Sequence, residues 1–395
     1  MSTCYLFSYL STMKRFFFFN PEHDLALNNG DSHFIAPKNI REMAHDLAPL
    51  IEVIDTERIV VWGWDVALVE RLRKMGIPST ELPADEALTA LRCRSERKVA
   101  HHLLGTFQTE QLAQHYTGES VIIRNISDIA FYAARHGHIL LKNPLSSSGK
   151  GLRHVNVSDN SHLSSTLALK PVESWANALI RRHGYLTAEP YYDKVQDFAM
   201  EFYVDMYGCH FIGYSLFVTD HHGRYIGSRL MSDERIEELL ASYVPRKALY
   251  ELRDWIIAHI ALIVPDEWDT TAFPLHFGID MMVVNMRSTQ SIQSDSNSQP
   301  TTHNSRFALH PCVEINLRMN MGIIAHEIYR HRLAPEAEGM FYLSFFADTA
   351  TLLAFQREQQ ALRPAVYSGN RLVHGYLPLT PIGEGTRHHA YIICD

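Results

Sequence analysis

Cysteine is scarce in this chain, and no apolar run is long. The five cysteines are scattered, odd in number and free of any Cys-x-x-Cys spacing, which argues against a disulfide framework and a zinc site. The apolar runs at residues 16–19 and 59–62 fall far below the roughly 18 residues that span a bilayer. Residues 1–12 lack the basic start of a secretory signal, so we expect a dispensable extension, with Met13 as an alternative start. A cytoplasmic protein without a membrane partner is expected.

Positive charge is also in short supply. Asp and Glu outnumber Lys and Arg by 44 to 36, for a formal net charge of -8. Without a basic field, a nucleic-acid partner is not expected, and any anionic ligand must meet locally placed cations. Histidine is abundant, but His326 and His331 are five residues apart rather than four. On a helix their imidazoles diverge, so this pair does not predict a zinc site.

The order of apolar and polar segments predicts a mixed α/β (α+β) chain of several units. Residues 1–94 alternate strand and helix like an open α/β domain. The polar residues that follow its two strands, 20–24 and 63–65, are expected at a ligand cleft, with Asp65 also an evident helix N-cap. The role of the dense set Glu22, His23 and Asp24 stays open.

The rest of the chain divides into three predicted parts. Residues 95–185 and 186–335 form two subdomains, and residues 336–395 supply a helix from about 340 to 362 and a terminal hairpin. Residues 287–305 are rich in Ser, Gln, Asn and Thr, which predicts a mobile loop between two neighbouring strands. Length alone is consistent with two or three structural units.

A lysine at the end of an apolar run opens a hydroxyl-rich loop. Lys142 is followed by residues 143–152, which contain three serines, two glycines and a second lysine. Cations, small side chains and free backbone N–H groups are suited to binding a polyphosphate. A Walker A loop is excluded because Pro144 and Gly151 stand where glycine and Ser or Thr are needed. A dinucleotide fingerprint is excluded by His154. A solvated Ser/Gly linker remains the alternative.

The strongest chemistry lies on the two strands that flank the polar loop. Asp280 sits in an otherwise apolar strand, where an unpaired carboxylate would be costly and therefore needs a cation. Across the loop, Glu314, Asn316 and Arg318 alternate with apolar residues and should share one strand face. Taken alone, that strand could be a half-exposed amphipathic one. Two carboxylates and an amide oxygen on adjacent strands form the oxygen set that Mg²⁺, or Mn²⁺, prefers.

The order of these motifs resembles the ATP-grasp superfamily of carboxylate–amine (or thiol) ligases. The resemblance covers about residues 98–322, and its most specific parts are residues 278–280 and 314–318. The chain departs from the family at Leu317, where many members have proline, and in the loop 287–305. The resemblance implies an ATP-grasp fold preceded by an N-terminal open α/β domain, with a helix and hairpin at the C-terminus.

The resemblance also implies roles for individual residues. Lys98 and Lys142 would contact ATP phosphates, while Glu189 and Tyr191 lie at the adenine hinge and Asp197 accepts the ribose hydroxyls. Arg318 and Arg229 are candidates for holding the substrate carboxylate or acyl-phosphate. The loop expected to close over the phosphates consists of Ser146, Ser147, Ser148, Gly149, Lys150 and Gly151. The residues implied as metal ligands are Asp280, Glu314 and Asn316.

These features predict an ATP- and Mg²⁺-dependent ligase. It would join a small-molecule carboxylate to an amine through an acyl-phosphate, using positioning and electrostatics rather than a side-chain nucleophile. Two alternatives stay open, an ATP-grasp kinase and a non-catalytic nucleotide-binding module. The sequence identifies neither the substrates nor the oligomeric state.

Overall fold

The computed structural model describes residues 16–53, 59–110, 115–146, 151–157, 165–220, 225–286 and 306–395. The predicted extension 1–12 and the predicted mobile loop 287–305 lie outside these ranges, as do Ser147, Ser148, Gly149 and Lys150. The fold class is mixed α/β, as predicted. None of the helices in these ranges combines the length and apolar character that a membrane span requires.

The N-terminal part is a two-stranded parallel sheet with helices around it. Its elements are β1 (Phe16–Phe18), α1 (His23–Asn29), α2 (Lys38–Leu47), β2 (Ile59–Val61), α3 (Val66–Lys74) and α4 (Asp85–Arg94). The predicted N-cap is confirmed, because Asp65 Oδ1 accepts a hydrogen bond from the Leu68 N–H at 2.9 Å. Because β1 and β2 run parallel, the polar residues that follow both strands lie at one edge of the sheet, as the sequence predicted.

The second part is a four-stranded antiparallel sheet with three helices. Its elements are α5 (Arg97–Glu110), β3 (Val121–Ile123), α6 (Ile126–His136), β4 (His138–Lys142), β5 (Leu152–Asn156), α7 (Ser165–His183) and β6 (Leu186–Pro190). The strand order is β3-β6-β4-β5. Lys142 ends β4, so the predicted phosphate loop connects the edge pair β4 and β5.

The third part is a nine-stranded sheet. Its strands are β7 (Lys194–Asp205), β8 (Gly208–Thr219), β9 (Tyr225–Leu230), β10 (Leu275–Asn285), β11 (Phe307–Asn316), β12 (Gly339–Phe345), β13 (Val366–Ser368), β14 (Arg371–Pro378) and β15 (His388–Cys394). Its helices are α8 (Asp233–Ala241), α9 (Arg246–Ala258), α10 (Met321–Arg332) and α11 (Thr349–Leu362). The order β11-β10-β7-β8-β9-β12-β15-β14-β13 makes β10 and β11 neighbours, as predicted.

One predicted element is wrong. The helix expected from about residue 340 is preceded by strand β12, and α11 begins only at Thr349, capped by Asp348. Phe341 is fully buried and lies in register with Ile392 on one side and Ser228 on the other. Pairing on both edges satisfies the backbone of this aromatic-rich segment, and that tertiary contact decides its conformation.

The apolar cores cross the predicted boundaries. Phe18 and Val61 share a core with Phe198 and Phe277 of the large sheet, and the Met319 N–H donates to the Trp62 carbonyl at 2.8 Å. The large sheet itself continues without interruption across the predicted boundary at residues 335/336. The division at residues 94, 185 and 335 stays a prediction about folding units.

Alanine substitutions at two glycines test the packing beneath α10. A Cβ on Gly322 would lie 2.0 Å from Glu201 Oε1 and 2.4 Å from Ser215 Oγ, so Gly322→Ala should lower the free energy of unfolding by about 2 kcal/mol or more. The control is Gly105→Ala on the exposed face of α5, where a Cβ meets nothing within 4 Å. That change should raise stability by about 0.5–1 kcal/mol. Urea unfolding measures both, and equal effects would contradict the packing described here.

Candidate nucleotide and metal site

The three predicted metal ligands come together at the end of the β10–β11 ladder. Asp280 lies opposite Glu314, and Gly278 lies opposite Asn316. Directly opposed residues of this kind have Cβ atoms about 5 Å apart. The Asn316 amide donates to Asp280 Oδ1 at 3.1 Å. One strand face therefore presents two carboxylates and an amide oxygen, as the sequence predicted; their binding of a metal stays a prediction.

The electrostatics of this set call for a cation. Burial raises the pKa of Asp280 well above its ordinary range, and the negative charges of Glu314 and Glu201 raise it further, while Arg318 lowers it. A divalent cation would relieve this repulsion, and oxygen donors suit Mg²⁺. The set includes only two carboxylates, and the described ranges contain no group of three or more His, Cys, Asp or Glu arranged for a metal.

Arg97 links the metal set to the phosphate loop, and the sequence reasoning missed it. Its Nη2 pairs with Glu314 Oε1 at 2.9 Å and donates to the Ser146 carbonyl at 3.4 Å. Its Nε donates to the Asn143 carbonyl at 3.0 Å. The neighbouring Lys98 was predicted instead, but its Nζ pairs with Glu96 at 2.8 Å. Both cations lie at the start of α5, and only the packing of that helix decides which one faces the site.

The predicted phosphate lysine is buried against the large sheet. Lys142 Nζ lies 2.6 Å from Glu189 Oε1 and donates to the Val313 carbonyl at 3.3 Å. Lys142 and Glu189 are predicted nucleotide contacts on neighbouring strands, β4 and β6. Their ion pair holds the lysine amine beside Val313, the residue that precedes Glu314. Residues 144–146, which follow β4, and residues 314–318 at the end of β11 line one small cavity.

The described ends of the phosphate loop are held close together. The Asn143 N–H donates to the Gly151 carbonyl at 2.9 Å. A Cβ on Gly151 would lie 2.1 Å from Ser146 Oγ, so only glycine fits there. Ser146 Oγ is buried and has no protein partner in the part of the chain that the structure describes. It is therefore free to accept or donate a hydrogen bond to a ligand.

The remaining predicted nucleotide contacts lie beyond Glu189. Tyr191 is 52% exposed and stacks on His138, with ring centroids 4.2 Å apart. Asp197 on β7 pairs with Lys194 and lies opposite Met282 of β10. Burial raises the pKa of Asp197, while Lys194 lowers it. The contacts of both residues with a nucleotide stay predictions.

The structure does not bring Arg229 to the site. It lies on β9, three strands from β10, where it pairs with Leu216. Asp280 is aligned through Ala199 with Ser215, the neighbour of Leu216. Successive strand residues point to opposite faces, so Arg229 projects from the face opposite to Asp280. Sequence alternation could not reveal this, because it does not fix register between strands.

Arg318 is held by the N-terminal segment that the sequence had flagged. Its guanidinium makes a bidentate ion pair with Asp24, with an Nη2–Oδ2 distance of 2.8 Å, and Nη2 also donates to Asn316 Oδ1 at 2.9 Å. Glu22 pairs with Arg71 at 3.0 Å, and His23 Nδ1 lies 3.2 Å from Asp65 Oδ2. Asp24 therefore positions Arg318, while Glu22 and His23 anchor the start of α1.

Two cavities meet at Arg318. The smaller, about 20 Å³, lies between the metal set and the loop and is lined by residues including Asp24, Arg97, Ser146, Glu314 and Arg318. It has room for about one water molecule. The larger, about 880 Å³, extends away from it and is also lined by Arg318. Its size lies within the range of small-molecule pockets.

The larger cavity is lined by His276, which lies on the same face of β10 as Asp280. His276, Gly278, Asp280 and Met282 lie on one strand face, about 7 Å apart from one to the next. The His276 ring lies tilted against the ring of Tyr203, with centroids 4.8 Å apart, and both rings line the cavity. Burial makes His276 neutral by lowering its pKa to about 4. His276, Asp280 and Met282 thus follow one another along this face, with His276 at the larger cavity.

The far wall of the larger cavity carries a charged cluster on α10 and α8. Burial opposes protonation of His326, but hydrogen bonds to Asp233 and Glu327 raise its pKa to about 9. Burial likewise opposes ionisation of Glu327, whereas His326 and Arg330 lower its pKa to about 2. Each of the three cations here and at the mouth, His326, Arg330 and Arg318, has a carboxylate partner.

Glu201 is a second residue that the sequence reasoning missed. It is 1% exposed, and accepts hydrogen bonds from Ser215 Oγ and Asn320 Nδ2, both at 2.7 Å. Asn320 in turn caps α10 by accepting from the Ile323 N–H at 3.0 Å. Glu201 lies opposite Gly278, whose missing side chain makes room for it. The carboxylate therefore fixes the start of α10 beneath the metal set.

The buried Glu201 should make stability depend on pH. Burial raises its pKa from an ordinary 4.5 to about 7, so the folded protein holds a proton that the unfolded chain has released. The free energy of unfolding should then fall as pH rises from 4.5 to 7, by up to about 3 kcal/mol. Glu201→Gln should remove this component in urea unfolding measured across that range. Glu358→Gln, an exposed change on α11, is the control, and parallel curves for E201Q and the wild type would contradict the assignment.

Comparisons with known proteins give similarities of fold at low sequence identity. No protein-family model and no curated protein matches the chain. Among solved structures, the biotin carboxylase β-γ-ATP complex from Campylobacter jejuni has 12% identity and a TM-score of 0.49, covering 97% of this chain and 82% of the other. The biotin carboxylase domain of Hydrogenobacter thermophilus 2-oxoglutarate carboxylase, with MgADP and bicarbonate, has 9% identity and a TM-score of 0.47, covering 92% and 75%.

A third similar structure is N5-carboxyaminoimidazole synthetase from Staphylococcus aureus complexed with ADP. It has 10% identity and a TM-score of 0.45, covering 96% of this chain and 86% of the other. Both kinds of enzyme are ATP-grasp family members, the superfamily that the sequence motifs resemble. At these identities and TM-scores the similarity decides neither substrate nor reaction, so the function proposed below rests on this chain's own residues.

Proposed function

We propose that this protein is an ATP- and Mg²⁺-dependent ligase that joins a carboxylate to an amine through an acyl-phosphate. One observation carries the proposal: Asp280, Glu314 and Asn316 meet at the end of the β10–β11 ladder, and Lys142 of the four-stranded sheet donates to the carbonyl of Val313, the residue before Glu314. A hard-oxygen metal set facing a buried lysine is suited to a nucleotide triphosphate bound as its magnesium complex. The larger cavity beyond Arg318 supports a second, organic substrate.

The residues of the cleft have distinct tasks in this proposal. Asp280, Glu314 and Asn316 would hold Mg²⁺, which supplies charge neutralisation for the phosphates. Lys142 and Arg97 place fixed positive charge on both sides of the transferred phosphoryl group, and Ser146 Oγ offers a hydrogen bond from the loop. Because these groups are already positioned by ion pairs and backbone carbonyls, little reorganisation is needed during the reaction.

The proposed reaction has two steps. A substrate carboxylate oxygen attacks the γ-phosphorus of ATP, the bond between that phosphorus and the β–γ bridging oxygen breaks, and ADP leaves. The amine nitrogen then attacks the acyl carbon, phosphate leaves with the bonding electrons, and the amine loses a proton. Arg318 lies between the metal set and the larger cavity, where it can orient the carboxylate once Asp24 yields one of its two hydrogen bonds.

The cleft must open for ATP to enter. A volume of about 20 Å³ between the metal set and the loop is far smaller than a nucleotide requires. The four-stranded sheet carries Lys142 and the loop. Lys142 contacts the large sheet through the Val313 carbonyl, and Arg97 of α5 links the loop carbonyls to Glu314. Movement of that sheet away from β11 would admit the nucleotide, as lid motions do in many enzymes.

Removing one predicted metal ligand should abolish most ATP turnover while the protein stays folded. We expect Asp280→Asn and Glu314→Gln to lower ATP turnover on the order of 100-fold or more. Asp280→Asn should also abolish the rise in melting temperature that Mg²⁺–ATP gives the wild type. Without ligand it should be no less stable than the wild type, because it removes a buried carboxylate that Glu314 repels.

Asp254→Asn is the matched control for this experiment. Asp254 is 65% exposed on α9 and pairs with the adjacent Arg253, so turnover and the Mg²⁺–ATP shift should both be retained. Unchanged turnover in D280N and E314Q would contradict the metal assignment. Retention of the ligand-induced melting shift by D280N would contradict it as well.

The ligase reaction itself can be separated from its alternatives by ADP release. Purified protein is screened with Mg²⁺–ATP against amino acids, peptides and small polyacids, with and without added amines. We expect ADP release that requires both an acid and an amine, with an amide product detected by mass spectrometry. A phosphorylated product without amine dependence would indicate a kinase. Binding of Mg²⁺–ATP without turnover across the panel would indicate a non-catalytic nucleotide-binding protein.

A further inference from the structure

His310 is a buried histidine without a protein partner. It lies on β11 and is 1% exposed, yet neither ring nitrogen has a hydrogen-bond partner among the residues that the structure describes. Its ring meets Tyr192 edge to face at 5.4 Å, and a Cβ on Gly118 would lie 2.9 Å from its Nε2. Buried polar groups are nearly always satisfied, so such an orphan calls for an explanation.

Another buried histidine shows the usual arrangement. His389 is fully buried, and its two nitrogens meet the Tyr376 hydroxyl at 2.8 Å and Thr380 Oγ1 at 3.1 Å. His310 has no such pair. Burial and the nearby charge of Lys142 lower the pKa of His310 to about 3, so the ring is neutral and offers one N–H donor and one nitrogen acceptor.

The position of His310 relates it to the proposed nucleotide cleft. It lies opposite Met282, two residues along β10 from Asp280, so His310, Met282 and the metal set share one sheet face. Around it is a small apolar cluster, separate from the three larger cores, that consists of Tyr192, Met282 and Val284 with Met286 and Val313 packed against them. This cluster lies on the opposite side of Asp280 from the larger cavity.

A nucleotide with its phosphates at the metal set would extend along β10 in one of two directions. Toward His276 it would fill the cavity that opens beside Arg318. Toward Met282 it would place a flat base against apolar side chains and the ring of Tyr192, with His310 as a hydrogen-bonding group in that cluster. The second direction gives the unpartnered ring nitrogens of His310 a ligand group to bind, and it leaves the larger cavity beside Arg318 for the second substrate.

We propose that His310 hydrogen-bonds the base of the nucleotide and favours adenine over guanine. This inference rests on the proposed use of ATP. Guanine carries more polar groups on its edge than adenine, and an apolar cluster with a single imidazole would leave them unpaired. Adenine places fewer such groups in the cluster, and one of its ring nitrogens can accept the imidazole N–H.

The test compares three ligands in two variants by isothermal titration calorimetry. His310→Leu removes both ring nitrogens, and His310→Gln keeps a donor and an acceptor. We expect H310L to bind Mg²⁺–ATP about tenfold more weakly than the wild type and to bind Mg²⁺–GTP nearly unchanged, so that its preference for adenine falls about tenfold. Binding of magnesium tripolyphosphate, which has no base, should be the same in all forms. H310Q should recover most of the affinity for ATP.

Stability supplies the matched control. H310L should melt no lower than the wild type, because leucine leaves no polar atom unpaired, whereas H389L should melt lower. Unchanged ATP affinity in H310L, or an equal loss for tripolyphosphate, would overturn the inference while leaving the proposed function standing. A melting loss in H310L as large as that of H389L would also overturn it. If the wild type does not bind Mg²⁺–ATP, the proposed function fails, and this inference fails with it.

Discussion

The ion pair between Arg318 and Asp24 is the contact on which the geometry of the site depends. It joins the N-terminal segment to the end of β11 across 294 residues of chain, and the same guanidinium fixes the amide of Asn316. On either side of it, Leu317 is buried in the main core and Met319 hydrogen-bonds Trp62. A largely buried arginine without its carboxylate would be costly, and Arg318 lines both cavities, so loss of this pair would disturb the wall that they share.

Around that pair, each cation has a carboxylate partner, and the carboxylates outnumber the cations. Arg97 balances Glu314, Lys142 balances Glu189, and Arg318 balances Asp24. Asp280 is left with an elevated pKa beside two further carboxylates. Such a surplus of negative charge in a buried cleft is stabilised by binding a cation. Along the larger cavity, His326, Arg330 and Arg318 likewise each have a carboxylate partner.

Much of this could be predicted from local sequence. Apolar runs and turn residues located β10, β11 and the terminal hairpin, and strict alternation placed Glu314 and Asn316 on one face. The segment at 339–345 was predicted wrongly because its strand conformation depends on partners at residues 228 and 392. Arg229 was a plausible substrate contact until strand register turned it to the opposite face. Arg97 was overlooked because it adjoins Lys98, and the sequence does not say which of the two turns inward.

The sequence by itself determined which chemistry is present: a lysine before a Ser/Gly loop, an isolated aspartate in an apolar strand, and an alternating Glu-x-Asn-x-Arg segment. These are local patterns, set by side-chain chemistry and by the period of a strand. Only the tertiary structure decided the partners. Asp24 with Arg318, Arg97 with Glu314 and Glu201 with Asn320 are each separated by more than one hundred residues. Such pairs form because burial penalises an unpaired charge wherever it lies in the chain, and packing alone determines which opposite charge is near.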